Sequence, residues 1–389
     1  MQSPVITGWY HSPFGKFDQL DPEQMMADAA IAALAHAGLD AEQIDSVHVG
    51  HFNAGFLYQD FPSTLLANHI PALRFTPAVR LENACSTGSA AIHSALQAVL
   101  SGQAQHALVV GFEKMNTLPT AEVGRILLKC CYTREESAIE GGFAGVFGVI
   151  AQDYFDRYGD QSDALAMIAA KNHANGTLNP LAHMRRDFGY DFCRTPSQKN
   201  PFVAGPLKRT DCSLITDGAA ALVISRADLA NERPQAIRFR AAVQVNDYMP
   251  LSRRDPTWFE GASRAWQKAL KEAELSLDDL SLVETHDCFT IAELLEYEAM
   301  GLAERGQGAR VIQEGISRKD GRLPINPSGG LKSKGHPIGA TGVSMHVMAA
   351  MQLSGQAGDM QLPTADRAGV FNMGGAAVTN YVSILEAVK

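Results

Sequence analysis

Cys85 is the residue of this chain best placed to act as a nucleophile. It follows Asn83-Ala84 and precedes Ser86-Thr87-Gly88, and these small residues introduce a strongly helical stretch. A thiol at a helix N-terminus faces backbone N–H groups, which lower its pKa from about 8.5 and can stabilise an oxyanion. We therefore expect Cys85 to be an exposed nucleophile at a turn. The alternative is a small buried cysteine at a helix start.

Two further turns carry groups for the same chemistry. His336 lies in Gly335-His336-Pro337-Ile338-Gly339, where glycine allows close approach of a substrate, so it could act as general base to Cys85 and as donor to a thioester oxygen. His286-Asp287-Cys288 precedes a predicted helix at 291–300, and a thiol at such a strand end could shuttle a proton. The alternatives are a helix-capping His336, a structural Cys288 and an Asp287 that only caps the next helix.

Other chemistries fit these residues less well. Two cysteines and two histidines could bind zinc, but they are spread over three distant turns, so we expect no metal site. Gly330 and Gly335 are spaced as in a phosphate loop, but His336-Pro337 replaces the Lys-Ser/Thr that such a loop requires. The other four cysteines are interpreted as packing residues: Cys130, Cys131, Cys193 and Cys212.

An internal repeat indicates how secondary structure could bring the turns together. Two predicted helices begin and end in the same way. One begins at Cys85-x-x-Gly88 and is followed by Ser-Gly-Gln-Ala at 101–104, and the other begins at His336-x-x-Gly339 and is followed by the same four residue types at 354–357. A helix–strand pattern at 33–49 also returns at 269–285. A duplicated α/β unit would place the two helix N-termini side by side about a pseudo-two-fold axis. Cys85 and His336 would then meet.

The remaining pattern predicts an α/β fold. Short β-rich runs at 107–110, 220–224, 237–245 and 378–384 predict strands, and Asp21-Pro22 with Gln24 predicts a helix start. Because strands alternate with helices, we expect mainly parallel sheets covered on both faces.

Composition limits the class of partner. The 389 residues carry a formal net charge of −9 with no long run of Lys or Arg, which argues against nucleic-acid and membrane-surface binding. Six cysteines in a chain of this length are too few for a disulfide framework, and none are spaced as CxxC, which argues against a structural zinc site. No signal peptide, membrane span or peroxisomal address is recognisable, so a cytoplasmic location is expected. The segment Lys114–Arg209 has 12 Lys and Arg against 10 Asp and Glu, on an otherwise acidic body, and could hold an anionic ligand or be a solvated surface.

The sequence resembles the thiolases over essentially its whole length, and the sterol-carrier-protein type of thiolase is the nearest pattern. The resemblance rests on these segments: Glu82-Asn83-Ala84-Cys85-Ser86-Thr87-Gly88, Gly111-Phe112-Glu113-Lys114-Met115, Lys171-Asn172-His173, Asn179-Pro180, Thr216-Asp217-Gly218-Ala219-Ala220-Ala221, His286-Asp287-Cys288-Phe289 and the twelve residues from Asn326 to Pro337. It implies an α/β fold of five layers, αβαβα, built from two similar halves. These would be 1–113 with 210–231, and 232–389, with a loop domain at 114–209 inserted over the active site.

The resemblance also implies the reaction and a role for each motif residue. The reaction would be thiolysis of a 3-ketoacyl-CoA, or the reverse Claisen condensation of two acyl-CoA molecules. Cys85 would carry the acyl group, His336 would activate it, and Cys288 would be the acid/base toward the second acyl-CoA. His286, where most thiolases carry asparagine, would join His336 in one oxyanion hole, and the N–H groups of Cys85 and Gly374 would form another.

One departure from the family pattern concerns the second cysteine. Many thiolases place it in a segment that here reads Phe371-Asn372-Met373-Gly374-Gly375, with Asn372 at the cysteine's position. An amide cannot act as a general acid/base, so Cys288 must take that role.

The resemblance implies CoA and acyl-CoA as ligands, bound by the segment Lys114–Arg209, and no metal or redox cofactor. We expect a homodimer or homotetramer. The nearest alternative is a related condensing enzyme that acts on a non-CoA carrier or a polyketide acceptor, with a small partner protein as one option. A retro-aldolase fits less well because Cys85 is retained. A non-catalytic acyl-CoA-binding subunit is the alternative from another class.

Overall fold

Strands and helices alternate along most of the chain. The computed structural model describes residues 4–229 and 235–388. Its strands are β1 (Val5–His11), β2 (Ser46–Gly50), β3 (Ala78–Leu81), β4 (His106–Glu113), β5 (Phe202–Ala204), β6 (Leu207–Lys208), β7 (Gly218–Ser225), β8 (Ile237–Asn246), β9 (Leu282–Glu284), β10 (Arg367–Gly374) and β11 (Thr379–Ala387). Its helices are α1 (Pro22–Ala37), α2 (Leu66–His69), α3 (Thr87–Leu100), α4 (Thr120–Leu127), α5 (Thr133–Glu136), α6 (Gly142–Tyr158), α7 (Ser162–Thr177), α8 (Gly189–Arg194), α9 (Glu260–Ala273), α10 (Thr290–Met300), α11 (Gly308–Gln313), α12 (Gly330–Ser333) and α13 (Ile338–Leu353).

Nine strands form one sheet in the order β3-β2-β4-β7-β1-β8-β11-β10-β9. The first five strands belong to one half of the chain and the last four to the other. The halves join where β1 pairs with β8 through Val5 opposite Arg238 and Ile6 opposite Ile237. Strand β3 lies at an edge of this sheet.

The expectation of mainly parallel sheets is wrong. Among the described strands of the large sheet, only β2–β3, β2–β4 and β9–β10 pair in parallel, and the other five pairs are antiparallel. Strands β10 and β11 are separated by only four residues, 375–378, a connection that permits only antiparallel pairing. Strand β1 also inserts antiparallel between β7 and β8.

The layers follow from which helix contacts which strand. Helix α1 covers one face of the first half through β1, β4 and β7, while α9 covers the second half through β8 and β11. Between the halves, α3 and α13 contact each other, α3 packing on β2 and β4 and α13 on β4, β7 and β10. Each half of the nine-stranded sheet forms one β layer, with α3 and α13 between the two layers and α1 and α9 outside them. The fold is therefore α/β with layers in the order αβαβα.

The predicted insertion occupies the chain between β4 and β7. It contains α4 to α8 and the two-stranded β5–β6 sheet, and its helices α6 and α7 pack on α10 of the second half. Division of the chain into domains at 113/114 and 209/210 remains a prediction, and the boundary predicted at 231/232 lies outside the described residues. Within the described part of the chain, none of the helices has the length and apolar character needed to cross a bilayer.

Candidate active site

Cys85 occupies a strained turn immediately before α3. Ala84 has a φ of 50°, a left-handed conformation that costs a residue with a side chain about 1–2 kcal/mol. The amide and the hydroxyl of Thr87 hold this turn by donating to the Ala84 carbonyl, at 3.1 and 2.7 Å. Cys85 is only 2% exposed, so the expectation of an exposed thiol is wrong. It lies against a cavity that the segment between β4 and β7 covers.

His336 lies just before α13, in the corresponding position of the second half. Its Nδ1 is 2.7 Å from Oγ1 of Thr341, one turn into the helix, and the Thr341 hydroxyl donates to the carbonyl of Pro337 at 2.9 Å. The imidazole is thereby held to the first turn of α13, and its Nε2 remains available.

His286 and Cys288 follow the C-terminal end of β9, and both are buried. The amides of Leu331 and Lys332 donate to the carboxylate of Asp287, at 2.6 and 3.2 Å. Asp287 therefore binds the start of α12, and not the following helix α10 as the sequence suggested. This contact ties the 286–288 segment to the chain that leads into His336.

The structure brings the predicted nucleophile and both histidines together. One sulfur or nitrogen ligand atom from each of Cys85, His286 and His336 lies within 4.8 Å of the others. The two imidazoles meet edge to face, with ring centroids 5.0 Å apart and planes at 84°. Cys288 lines the same cavity as Cys85 and His336. The four side chains come from segments up to 251 positions apart in the printed sequence.

Asn372 of β10 lies between the two halves at this point. Its Nδ2 is 2.8 Å from Nδ1 of His286 and 3.2 Å from the carbonyl oxygen of Cys85, while its Oδ1 accepts a hydrogen bond from the Ser89 hydroxyl at 2.7 Å. The residue that replaces a cysteine in the family pattern thus contacts both the backbone of Cys85 and the side chain of His286.

Gly374, at the end of β10, approaches the nucleophile turn closely. A Cβ at this position would lie 2.5 Å from the carbonyl oxygen of Asn83 and 2.8 Å from the hydroxyl of Ser86. Only glycine therefore allows β10 to come this near to Cys85.

The electrostatic surroundings favour a thiolate at Cys85. A hydrogen bond from the thiol of Cys130, together with contacts to His286 and His336, lowers the pKa of Cys85 well below its usual value despite burial. Conversely, the pKa of Cys130 is raised well above its usual value, first by its bond to Cys85 and then by burial. The proton of this pair therefore stays on Cys130.

Burial sets the protonation of the other groups. It lowers the pKa of His286 to about 4, so this imidazole is neutral near pH 7. Burial, reinforced by the charge of Cys85, raises the pKa of Cys288 well above its usual value, so the Cys288 thiol keeps its proton.

Two openings flank Cys85. On one side is a largely apolar cavity of about 650 Å³, formed by Cys85, Cys288, His336 and residues between β4 and β7, with two cations, Arg125 and Arg209, in its lining. On the other side is a cleft of about 930 Å³, which includes Asn83, Cys130, Gly374 and residues near the edge strand β3. Lys114, at the start of the segment suspected of ligand binding, instead donates to the carbonyls of Phe17 and Leu20.

Models of both halves of one family match this chain. The thiolase N-terminal domain matches residues 4–187, and the thiolase C-terminal domain-like model matches residues 242–387. The acetyl-CoA acetyltransferase of Methanothermobacter thermautotrophicus is 34% identical over 99% of both chains. Sterol carrier protein 2 of Bos taurus is 31% identical over 92% of this chain and 67% of its own length. The chain therefore belongs to the thiolase family, and it is an acyltransferase of the thiolase class.

Solved structures agree with this fold. The Ltp2-ChsH2(DUF35) aldolase superposes with a TM-score of 0.83 at 20% identity, covering 99% of this chain and 98% of that one. The acetyl-CoA acetyltransferase of Syntrophomonas wolfei gives a TM-score of 0.73 at 18% identity over the full length of both chains. A monomeric SCP2-thiolase-like protein from Mycobacterium smegmatis superposes with a TM-score of 0.76 at 18% identity, covering all of this chain and 78% of that one.

Sequence reasoning missed three residues of the site. The sequence indicates Cys130 only as a packing residue, yet its thiol lowers the pKa of Cys85. Asn372 was noted only as unable to act as an acid/base, and Thr341 was not singled out. The departure from the family pattern at Asn372 was the one signal that could have drawn attention to it. Cys212, also interpreted as packing, lines the cavity.

Proposed function

We propose that this thiolase transfers acyl groups between CoA thioesters through an acyl-enzyme on Cys85. It would cleave a 3-ketoacyl-CoA with CoA, or run the reverse Claisen condensation. The observation that carries the proposal is the meeting of Cys85, His286 and His336 within 4.8 Å, with Cys288 on the same cavity. The acetyl-CoA acetyltransferases among the relatives support CoA thioesters as substrates. A soft thiolate attacks a thioester readily, and no metal or redox cofactor is needed.

Each side chain has a distinct role in this proposal. His336 accepts the proton that leaves the Cys85 thiol, and the resulting thiolate attacks the keto carbon. When the bond between C2 and C3 breaks, Cys288 protonates the departing enolate, which suits a thiol whose raised pKa keeps it protonated. In the condensation direction, the Cys288 thiolate removes that proton.

Two sets of hydrogen-bond donors would stabilise the oxyanions. His286 and His336 would bind the enolate oxygen, and the N–H groups of Cys85 and Gly374 would bind the tetrahedral intermediate. A preorganised donor of this kind contributes about 3 kcal/mol to transition-state stabilisation. The fully buried setting of His286 supports its role, because hydrogen bonds are stronger where water is excluded.

The 650 Å³ cavity is proposed to receive the acyl-CoA. Its apolar lining suits the acyl chain and the pantetheine arm, and Arg125 and Arg209 are the cations available to the CoA phosphates. The proposed phosphate-binding residues within Lys114–Arg209 are therefore Arg125 and Arg209.

The acyl-enzyme can be tested by intact mass spectrometry after mixing with acetyl-CoA. We expect an increase of about 42 Da, the acetyl increment, on wild type and none on Cys85→Ala, whereas Cys130→Ala should still acylate. Turnover of acetoacetyl-CoA should fall to background in Cys85→Ala. A Cys85→Ala variant with wild-type turnover would end the proposal.

The division of labour can be tested with Cys288→Ser. A hydroxyl is too weak an acid for the exchange, so this variant should form the acyl-enzyme yet lose carbon–carbon cleavage and condensation. Equal loss of both steps would contradict the assignment.

One alternative function is favoured by a specific observation. The structural neighbour with the TM-score of 0.83 is named as an aldolase with a DUF35 component, which supports a condensing or cleaving enzyme that works with a small partner subunit. Retention of Cys85 favours the thiolase reaction over an aldolase reaction. The thiolase and the partner-dependent enzyme can be distinguished by their substrates. Turnover on acetoacetyl-CoA is compared with turnover on carrier-protein substrates, each with and without a DUF35 protein.

We also propose a homo-oligomer, at least a dimer, in the cytoplasm. The edge strand β3 and its surroundings expose large apolar side chains, which supports self-association there. These side chains are Tyr58, Phe61, Phe75 and Val79. All six cysteines are free thiols in the structure, which supports a reducing compartment.

A further inference from the structure

The two histidines beside Cys85 each bind a fixed partner through Nδ1, and the partners differ in kind. His286 faces the amide nitrogen of Asn372 at 2.8 Å, whereas His336 faces the hydroxyl oxygen of Thr341 at 2.7 Å. A neutral imidazole has one N–H and one lone pair, so the group at Nδ1 decides which of the two is left at Nε2.

The orientation of the Asn372 amide is set by its other neighbours. The carbonyl oxygen of Cys85, 3.2 Å from Nδ2, can only accept a hydrogen bond, and the hydroxyl of Ser89 donates to Oδ1 at 2.7 Å. The NH₂ group therefore faces Cys85 and His286 together, with one N–H for each. Nδ1 of His286 must accept, so the ring proton lies on Nε2.

Near neutral pH, His286 does not carry a proton on both ring nitrogens, so it must adopt one of the two neutral tautomers. It is fully buried, and burial lowers its pKa to about 4. Its Nε2 finds no hydrogen-bond partner that satisfies ordinary geometry among the described residues, and Cys85 and His336 lie beside the ring. The unused N–H is thus a buried donor directed at the place where the substrate reacts.

His336 has the opposite arrangement. The single hydroxyl proton of Thr341 is donated to the carbonyl of Pro337 at 2.9 Å, so the Thr341 oxygen offers lone pairs to the imidazole. Nδ1 of His336 therefore carries the proton, and Nε2 has a free lone pair. That lone pair can take the thiol proton of Cys85, leaving a thiolate and an imidazolium whose Nδ1–H still bonds Thr341.

We propose that Asn372 and Thr341 are positioning residues that assign opposite tautomers to the two active-site histidines. His286 becomes a hydrogen-bond donor and His336 a proton acceptor, although both rings lie beside the same sulfur. The catalytic consequence rests on the proposed function, but the tautomers themselves do not.

The same constraint bears on the Cys–His–His cluster as a metal site. A metal on Nε2 of His286 would require the ring proton to move to Nδ1, directly against an N–H of Asn372. The cluster therefore has the spacing of a zinc site without the protonation that zinc requires.

The direct test is nitrogen NMR of the protein labelled with ¹⁵N-histidine, near pH 7. His286→Asn and His336→Asn identify the two rings by loss of their signals. We expect Nε2–H for His286 and Nδ1–H for His336 in wild type. Finding the same tautomer for both rings would overturn the inference, and this measurement needs no folded variant of Asn372.

Variants at the two partners sharpen the test. Asn372→Asp replaces the donor with an acceptor and should move the His286 proton to Nδ1, and an unmoved proton there would contradict the proposal. Thr341→Val removes the hydroxyl that accepts from Nδ1, so His336 should no longer favour the Nδ1–H tautomer, and Thr341→Ser should restore that tautomer. A purely structural role for Thr341 predicts no difference between these two variants in the His336 signals.

Kinetics connect the tautomers to catalysis. Asn372→Leu should lower kcat for acetoacetyl-CoA by about 100-fold, the loss typical of an oxyanion donor, and should slow the alkylation of Cys85 by iodoacetamide far less than it slows turnover. Thr341→Val should instead slow the alkylation. Equal losses in both assays for both variants would sink the assignment. Wild-type tautomers as expected without thiolase turnover would refute only the proposed function.

Discussion

At the scale of single residues, Cys130 is the least expected member of the site. Burial alone would raise the pKa of Cys85, yet the net shift is downward, because the thiol of Cys130 donates a hydrogen bond to the sulfur. The opposite shift of Cys130 follows from the same bond, since losing its proton would place two negative sulfurs side by side.

Cys130→Ala should therefore raise the pKa of Cys85. One hydrogen bond to a charged group contributes about 1.5 kcal/mol, so we expect the pH profile of Cys85 alkylation to move up by about one unit. Peptide mapping by mass spectrometry isolates Cys85 from the other thiols. Cys131→Ala, at the neighbouring buried cysteine, is the matched control and should leave the profile in place; equal shifts in both variants would contradict this role.

The sequence indicates Cys85 and His336 through their glycine-framed turns and His286 and Cys288 mainly through the family resemblance, and the structure brings these four side chains together. Cys130 and Asn372 could not be predicted, since their importance depends on contacts with residues 45 and 287 positions away in the sequence. The tautomer of His286 depends on the direction of one amide, which no pattern of residue types specifies. Exposure of Cys85 was misjudged because the covering segment lies after α3 in the chain.

At the scale of elements, the close contact of α3 with α13 determines the geometry of the site. A Cβ on Gly88 would lie 2.7 Å from the backbone nitrogen of Val343, and one on Gly342 would overlap the backbone nitrogen of Ser89. The two helix N-termini can therefore meet only as glycine against glycine, and this brings Cys85 and His336 together.

Gly342→Ala should force the two helices apart. Overpacking against backbone costs about 1–3 kcal/mol, so we expect a lower free energy of unfolding in urea and a clear loss of turnover. The control is Gly124→Ala in α4, where the added methyl group meets nothing within 4 Å and should leave stability equal or higher by up to about 1 kcal/mol. Unchanged stability and turnover in Gly342→Ala would refute the packing argument.

The elements were predictable to different degrees. The helix start at Asp21 is confirmed by a hydrogen bond from the amide of Glu23 to its side chain, although Gln24 bonds Asp28 instead of closing a capping box. The four predicted strands match β4, β7, β8 and β11. The prediction of mainly parallel pairing is wrong because the alternation of helices and strands along the sequence does not reveal that β1 inserts antiparallel between β7 and β8.

At the scale of the whole molecule, β3 is an unprotected edge. It pairs only with β2 among the described strands, and Val79 near its centre is 43% exposed. Exposed edges with apolar side chains invite pairing with another chain, and the adjoining cleft reaches the turn of Cys85.

Val79→Lys should disrupt the proposed dimer. A charge on the edge strand opposes strand pairing, so light scattering after size exclusion should show twice the 41.9 kDa chain mass for wild type and the single mass for the variant. Leu100→Lys, at an exposed apolar position on the end of α3, should leave the dimer intact. A wild-type protein that runs as a single chain, or a dimer that survives Val79→Lys, would refute β3 as the interface.

The pairing of β1 with β8 constrains how this enzyme can move. Because a shared backbone ladder runs across the junction, the two halves cannot rock about a hinge to admit a ligand, as many two-lobed enzymes do. Cys85 and His336, which lie on different halves, therefore keep a fixed spacing. Any opening of the entrance then falls to the segment between β4 and β7, which covers the cavity. That segment also carries Cys130, so a movement of the cover would shift the thiol that lowers the pKa of Cys85.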